Sequence, residues 1–419
     1  MSEIASVTEW RERSPRRPAA RADDVGRHNL ALVVQHVAAR GTASRAEIAR
    51  ATRLTKGTVS THVQELLKLE LLVELGTQPD GRVGRPHSDL ALNGSGHCGI
   101  GVEINVDYIA VCVSDLLDKV RFHRIDVLEN RAIDPGHVLD RAAELVRTAI
   151  AAAEADGLAP AGIAAAVAGT VELETGAVLV APNLGWTGVP VVDELVERLS
   201  LIDVPVVADN EANLAALAEL WLGIGGESGS YVHVSGDIGV GAGIVVGGAL
   251  FRGVRGFAGE IGHVVVDRNG DPCSCGGRGC LERFAGQDAI FRAAGLPSTT
   301  ATALGHPDNP LYGLIERLER GDEAASAAVR VAAEALGIGL AGVVNVIDPD
   351  TIILGGTYAP LAPWLADSLR ESLVRQVIAS EWRPIEIRVS ELGPDAAVRG
   401  AAAWIVQRLL AAPDVLASR

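Results

Sequence analysis

Three cysteines and a histidine lie close together in the stretch GEIGHVVVDRNGDPCSCGGRGCLERF, as His263, Cys273, Cys275 and Cys280. Three soft sulfurs and one imidazole are the donor set of a closed tetrahedral zinc site, and Gly276, Gly277 and Gly279 let a short loop fold around an ion. The competing chemistry is thiol redox. A redox pair usually has two residues between its cysteines; here one residue separates the first two, four separate the next two, and the histidine stands ten residues upstream. A structural zinc site is the expectation.

A second cluster, VVADNEANLAAL, runs from Val206 to Leu217 and places Asp209, Asn210, Glu211 and Asn213 between an apolar strand-like run and an alanine-rich helix. Open α/β sheets bind ligands at the carboxyl ends of their strands, so Asp209 or Glu211 is placed to act as a base or as a hydrogen-bonding wall. The plainer alternative is that Asp209 or Asn210 only caps a helix starting near Ala212.

The elements that position these groups need more than one domain, because 419 residues exceed one ordinary core. The first residues lack the apolar segment of a secretory signal, and the longest apolar run, Ala335 to Ile347, is too short and glycine-broken to span a bilayer. A cytoplasmic protein without a membrane partner is expected, in which five cysteines fit metal or redox chemistry better than a disulfide framework. The chain carries a formal net charge of −16, yet its first 90 residues are net positive. That asymmetry points to an anionic partner for the N-terminal segment alone.

Leu30, Val33, Val34 and Val37 repeat at helical spacing. Ser44 and Glu47 make a capping box for a short helix through Arg50, and after the turn ATRL a second helix begins near Thr55 with Val59, Val63, Leu66 and Leu67 on its apolar face. Lys56, Thr58, Ser60, Thr61 and Gln64 are left on the outer face, the small, polar and basic set that a recognition helix offers the major groove. Two strands, LLVEL and SDLALN, flank a loop carrying Arg82 and Arg85 and complete a winged helix-turn-helix pattern. The Arg11–Arg21 tail adds little, since a solvated arm is the default for such a run.

The cysteine stretch resembles the signature of the ROK family (repressors, open reading frames and sugar kinases), in which ExGH precedes CxCGxxGCxE; the matching residues are Glu260 to His263 and Cys273 to Glu282. The resemblance extends through APNLGW (Ala181–Trp186), DNEAN, the glycine run Gly236–Gly253, DPDTIILGG (Asp348–Gly356) and the GRP motif Gly84–Pro86 that ends the winged helix of family repressors. It implies an α/β chain in which a winged helix-turn-helix precedes a two-lobed, actin-like (ribonuclease H-like) sugar-binding body with a zinc knuckle. The expected boundaries are 24–94 for the DNA-binding domain, 95–220 for the first lobe with a C-terminal helix 394–412 packing back on it, and 221–393 for the second lobe with the zinc loop. By the same resemblance Asn183, Asn210, Glu211, Glu260, His263 and Glu282 line the sugar pocket, His263 serving also as a zinc ligand. Carboxylates and amides suit vicinal hydroxyls, which need donors and acceptors at fixed spacing.

Against the family's kinases the sequence departs at three places. Their first phosphate loop, DxGGT, aligns with Glu103, Ile104, Asn105, Val106 and Asp107, where a branched and an anionic side chain replace glycine and threonine; their second, GTGxGxG, has Ile238 at the hydroxyl position. Their proton-accepting aspartate aligns with Glu211, whose extra methylene displaces the carboxylate. The expected function is a sugar-responsive DNA-binding repressor of carbohydrate-utilisation genes with no catalytic residue, partnered by operator DNA and by a monosaccharide of the xylose, glucose or N-acetylglucosamine type. A homodimer or homotetramer would fit a symmetric operator. The alternative is a bifunctional kinase that phosphorylates a hexose with ATP.

Overall fold

A computed structural model describes residues 22–76, 88–131, 133–200, 204–297 and 309–416. The chain divides into two compact units, residues 1–92 with 409–419 as the head and 93–408 as the body.

In the head, the helix Ala22–Arg40 buries Leu30, Val33, Val34 and Val37, the residues whose spacing predicts it. Ser44 caps the helix Arg45–Thr52 through a complete capping box with Glu47, and that helix ends two residues beyond Arg50, where Arg53 takes a left-handed conformation. Thr55 caps the helix Lys56–Lys68, which buries Val59, Val63 and Leu66 and leaves Leu67 half-buried. Strands Leu72–Glu74 and Leu90–Leu92 pair antiparallel, and Thr42–Ala43 adds a third strand that a two-residue segment could not announce in the sequence.

The body contains two five-stranded sheets of the same plan. In the first, Val206–Asn210, Ala159–Val167 and His97–Ile104 run parallel, and His97–Ile104, Tyr108–Asp115 and Val120–Val127 form an antiparallel meander. In the second, Tyr231–Gly236, Val240–Val246 and Ala249–Leu250 form the meander, and Thr351–Gly356 and Glu386–Val389 extend it in parallel. No internal repeat is evident in the sequence, yet the topology repeats: the two sheets meet the same pleated burial demand with different apolar side chains.

Helices supply the cover. The helix Ala396–Ala411 approaches the first sheet so closely that a Cβ on Gly101 would lie 2.1 Å from the Val398 carbonyl oxygen. The helix Glu323–Ile347 is the one candidate membrane span among the described residues, with a mean hydropathy of 1.7. It buries 61% of its apolar window in the core of the second sheet, alongside Leu354, Leu361 and Phe291.

Candidate functional site

The strand Val206–Asn210 ends at the helix Glu211–Trp221, and Asn210 is the cap: its side-chain oxygen accepts from the Ala212 amide at 2.9 Å and the Asn213 amide at 3.2 Å. The plain capping alternative is therefore correct for Asn210, and the residue also lines a cleft. Its Nδ2 donates to the Gly169 carbonyl at 3.0 Å and to Glu211 Oε2 at 2.8 Å, fixing the Glu211 carboxylate at the cleft wall. Asp209 points elsewhere. It is buried, pairs with Arg252, accepts from Asn213 Nδ2 at 3.0 Å, and leaves the wall to its neighbours.

The cleft encloses about 1150 Å³ of empty space, its open mouth included. Asn183, Asn210, Glu211, Glu260, His263 and Glu282, which come from four separate stretches of chain, all line it. Asn183 Nδ2 donates to Glu282 Oε2 at 3.2 Å, and the Thr170 hydroxyl donates to Glu260 Oε1 at 3.3 Å. Val171, Val180 and Phe257 give the cleft its apolar walls. The glycines of Val240–Val246 and the preceding turn are set by this crowding: a Cβ on Gly239 would lie 2.5 Å from Glu282 Oε2, and one on Gly241 would lie 3.3 Å from Glu211 Oε1.

Behind Glu211 lies a group of buried acids. Burial pushes Glu103 up to about 8 and Asp237 up to about 6, and it raises Glu211 well above the ordinary glutamate range, with Glu260, Asp237 and Glu103 adding repulsion. The Tyr108 hydroxyl and Asn105 Nδ2 both donate to Glu103 Oε1, while Glu103 Oε2 has no hydrogen-bond partner among the described residues. Sequence reasoning passed over Thr170, Asp237, Tyr108 and Arg252 as site residues, because each acquires its neighbours only once the chain is folded. Asp237, the one acid in the glycine run Gly236–Gly253, was the one visible signal.

His263, Cys273, Cys275 and Cys280 bring their ligand atoms within 4.8 Å of one another. Cys273 Sγ lies 3.8 Å from His263 Nδ1 and 3.9 Å from Glu282 Oε1, and Cys275 Sγ lies 3.7 Å from Cys280 Sγ. This group can hold a metal ion, and it abuts the cleft through His263, Cys275 and Glu282.

On the head, Lys56, Ser60, Thr61 and Gln64 are exposed along the helix Lys56–Lys68. Thr58 is half-buried and its hydroxyl is 2.8 Å from that of the capping Thr55. Arg82, Arg85, the GRP motif and the Arg11–Arg21 tail lie outside the described residues.

A helix-turn-helix head joined to a body of two repeated sheets with a polar cleft and a Cys3His group defines a regulator built on a sugar-kinase fold. The chain belongs to the ROK family, whose model matches residues 99–408; residues 31–83 match the MarR family. It is similar to the xylose repressor of Caldicellulosiruptor bescii, with 31% identity over 92% of this chain and 97% of that protein. Among solved structures it is similar to a ROK family transcriptional regulator homologous to the E. coli MLC protein (TM-score 0.77, 25% identity, 94% of this chain and 99% of the other). It also resembles a ROK family glucokinase from Streptomyces griseus in complex with glucose and AMPPNP (TM-score 0.62, 30% identity, 74% and 99%).

Proposed function

We infer that the protein is a sugar-responsive transcriptional repressor that binds operator DNA through its head and a monosaccharide in the cleft of its body. The observation that carries this is the convergence of Asn183, Asn210, Glu211, Glu260, His263 and Glu282 on one cleft, in a chain that also has a MarR-type head. In this reading residues 24–94 bind DNA, and 95–220 and 221–393 are the two lobes that hold the sugar. The carboxylates accept from its hydroxyls, Asn183 donates the amide hydrogen that Glu282 leaves free, Asn210 holds Glu211 in place, and Val171, Val180 and Phe257 cover the apolar ring faces. Lys56, Thr58, Ser60, Thr61 and Gln64, with Arg82 and Arg85 from the wing, contact DNA. A dimer or tetramer working in the cytoplasm suits a two-fold operator.

The metal is zinc, held by His263, Cys273, Cys275 and Cys280. Three thiolates and an imidazole suit a tetrahedral ion, which when bound supplies a rigid cross-link and no reaction chemistry. His263 and Glu282 then hold their cleft positions because the loop between them is fixed.

The kinase chemistry is silent. A phosphate loop works by offering backbone amides to an anion. Here the Val106 amide donates to Asn105 Oδ1 at 2.8 Å and the Asn105 amide to the Tyr108 carbonyl at 3.0 Å, so both are occupied, and Val106 and Asp107 are buried. Ile238 brings a hydrocarbon to the cleft where the kinases have a hydroxyl. A bifunctional hexose kinase is the second reading, favoured by the likeness to glucokinases.

The test is operator binding by fluorescence anisotropy with and without monosaccharides, run beside a coupled ADP-release assay. Sugar should weaken DNA binding about 5–150-fold, a coupling of roughly 1–3 kcal/mol, without ATP. Operator affinity indifferent to every aldose would sink the sensor reading, and sugar-dependent ADP release would establish the kinase.

A further inference from the structure

Arg252 joins three segments of the body. Its guanidinium pairs with Asp209 at the end of the strand Val206–Asn210, and its Cζ lies 5.8 Å from the centre of the Trp404 ring on the helix Ala396–Ala411. Its backbone closes a loop: the Ala258 amide donates to the Arg252 carbonyl at 3.1 Å, and Gly256, Phe257, Ala258, Gly259 and Glu260 line the cleft. Asp209 adjoins the cleft from the other side of the pair. Its Oδ1 accepts from the Asn210 amide at 2.8 Å, and Asn210 and Glu211 are cleft wall. Cleft residues thus flank both partners of the ion pair, although neither Asp209 nor Arg252 lines the cleft itself.

The helix that carries Trp404 leads out of the body. Arg408 is the last body residue; Leu409 onward belongs to the head, where Asp414 in the turn Pro413–Leu416 pairs with Arg27 of the helix Ala22–Arg40 at 3.9 Å. Arg408 stands one helical turn after Trp404 and has its own Cζ 5.6 Å from the same ring. Before Trp404 the helix is seated on the first sheet, so closely that a Cβ on Gly99 would lie 2.2 Å from the Ala402 carbonyl oxygen. The two contacts of Arg252 are unequal. Asp209 is 4% exposed, and a buried carboxylate deprived of its cation is strongly disfavoured, so Asp209 and Arg252 shift as a unit. A cation over a half-buried aromatic ring is the weaker contact and gives first. A displacement of either cleft wall is therefore delivered at Trp404.

We propose that Arg252 is the positioning residue that couples the cleft to the head. Ligand contacts with the loop Gly256–Glu260, or with Asn210 and Glu211, move the Asp209–Arg252 pair against Trp404, and the helix Ala396–Ala411 carries the change past Arg408 into the head. This rests on the sugar-binding reading of the cleft and names the residues through which the sugar acts on operator binding.

The experiment measures operator affinity of the full chain with and without D-xylose, D-glucose and N-acetyl-D-glucosamine, in the wild type and in Arg252→Met, Trp404→Leu and Trp404→Phe. Calorimetry follows sugar binding in the same samples. Arg252→Met and Trp404→Leu should bind sugar, and bind operator without sugar, as the wild type does, yet lose its response of about 5–150-fold. Trp404→Phe keeps a ring beneath the guanidinium and should keep most of that response. Sugar should also alter amide exchange at residues 404–411 in the wild type and leave it unaltered in Arg252→Met. A full sugar response in either Arg252→Met or Trp404→Leu overturns the proposal, as does a Trp404→Phe variant as unresponsive as Trp404→Leu. Loss of sugar binding by Arg252→Met overturns it too, since Arg252 would then serve the site and not the link beyond it. If Arg252→Met does not fold, Trp404→Leu, which leaves the ion pair intact, decides alone. A wild type whose operator affinity ignores all three sugars removes the sugar-sensing reading and the coupling with it, a result visible before any variant is measured.

Discussion

In the head, Glu47 accepts from the Ser44 backbone amide and hydroxyl, both at 2.8 Å, and these bonds hold its carboxyl below the usual glutamate range. In the body, burial drives Glu103 up to about 8 and raises Glu211 as well, and the charges that the two feel most strongly are those of other acids. The same side chain is thus shifted in opposite directions by two environments. Around Ser44 the chain supplies the hydrogen bonds that its charged group needs, at three-residue spacing. The cleft gathers carboxylates from distant segments and leaves them partly unsatisfied, as sites do when a ligand or a proton supplies the remainder.

The contrast is sharpest at the cysteine loop, whose four ligand atoms lie close enough together to hold a metal ion. Cys275→Ser should lose the one zinc per chain that elemental analysis of the wild type is expected to find, since apparent free energies of structural zinc sites reach about 10–16 kcal/mol. Sugar affinity should fall with it, because His263 and Glu282 bracket the loop. A metal-free protein that binds its sugar as tightly as before would separate the loop from the cleft.

The second prediction concerns Glu103, whose folded pKa of about 8 stands above an ordinary value of 4.5. Below pH 4.5 the carboxyl is protonated in both folded and unfolded chains. Between 4.5 and 8 the folded protein holds a proton that the unfolded chain releases, so this group's stabilising contribution is lost as pH rises through that window. Glu103→Gln removes the titration, and the variant should gain on the wild type from pH 5 to pH 8.5 by on the order of a few kcal/mol in urea unfolding. A stability difference independent of pH would mean that the acids behind Glu211 are not held protonated by burial.

What could be read from the sequence follows the same division. The capping box of Ser44 and Glu47 and the Cys3His set are local patterns, contained in four and eighteen consecutive residues, and both groups come together in the structure as the spacing predicts. DNEAN was legible as a cluster, but the division of labour within it was not. Asp209 and Glu211 differ in role because Arg252, 43 residues further on, reaches one and not the other. Tyr108 beside Glu103 and Thr170 beside Glu260 are likewise products of strand register and of chain distance, 90 residues in the second case. The repeated sheet plan was invisible for a related reason: topology constrains which positions are buried, and many apolar sets satisfy it.

A third prediction returns to the head and tests the DNA-reading role proposed for the exposed face of the helix Lys56–Lys68. Gln64→Ala should relax preference at one operator position at a cost of about 1–3 kcal/mol, whereas Lys56→Ala should weaken all duplexes similarly and lower the salt slope by about one ion. Competition titrations at two salt concentrations distinguish the two. Identical behaviour of both variants would place the base-reading surface elsewhere.

The smallest effect tests the head's side of the comparison directly. Ser44→Ala removes the hydroxyl that accepts from the Glu47 amide at 3.3 Å and donates to its carboxylate at 2.8 Å. The Ser44 backbone amide still reaches that carboxylate at 2.8 Å, so the box is halved and not abolished. The helix Arg45–Thr52 should therefore lose about 1 kcal/mol, the usual worth of an N-cap side chain, visible as faster amide exchange within those residues. Its pH dependence should run opposite to that of Glu103. A carboxyl held below its ordinary value stabilises the fold above that value and ceases to do so as pH falls through the lowered one, so acid should narrow the gap between wild type and Ser44→Ala. If acid widened it instead, Glu47 would be a group that prefers its proton, as the cleft acids do, and the distinction between a finished surface and an unfinished site would fail at its simplest point.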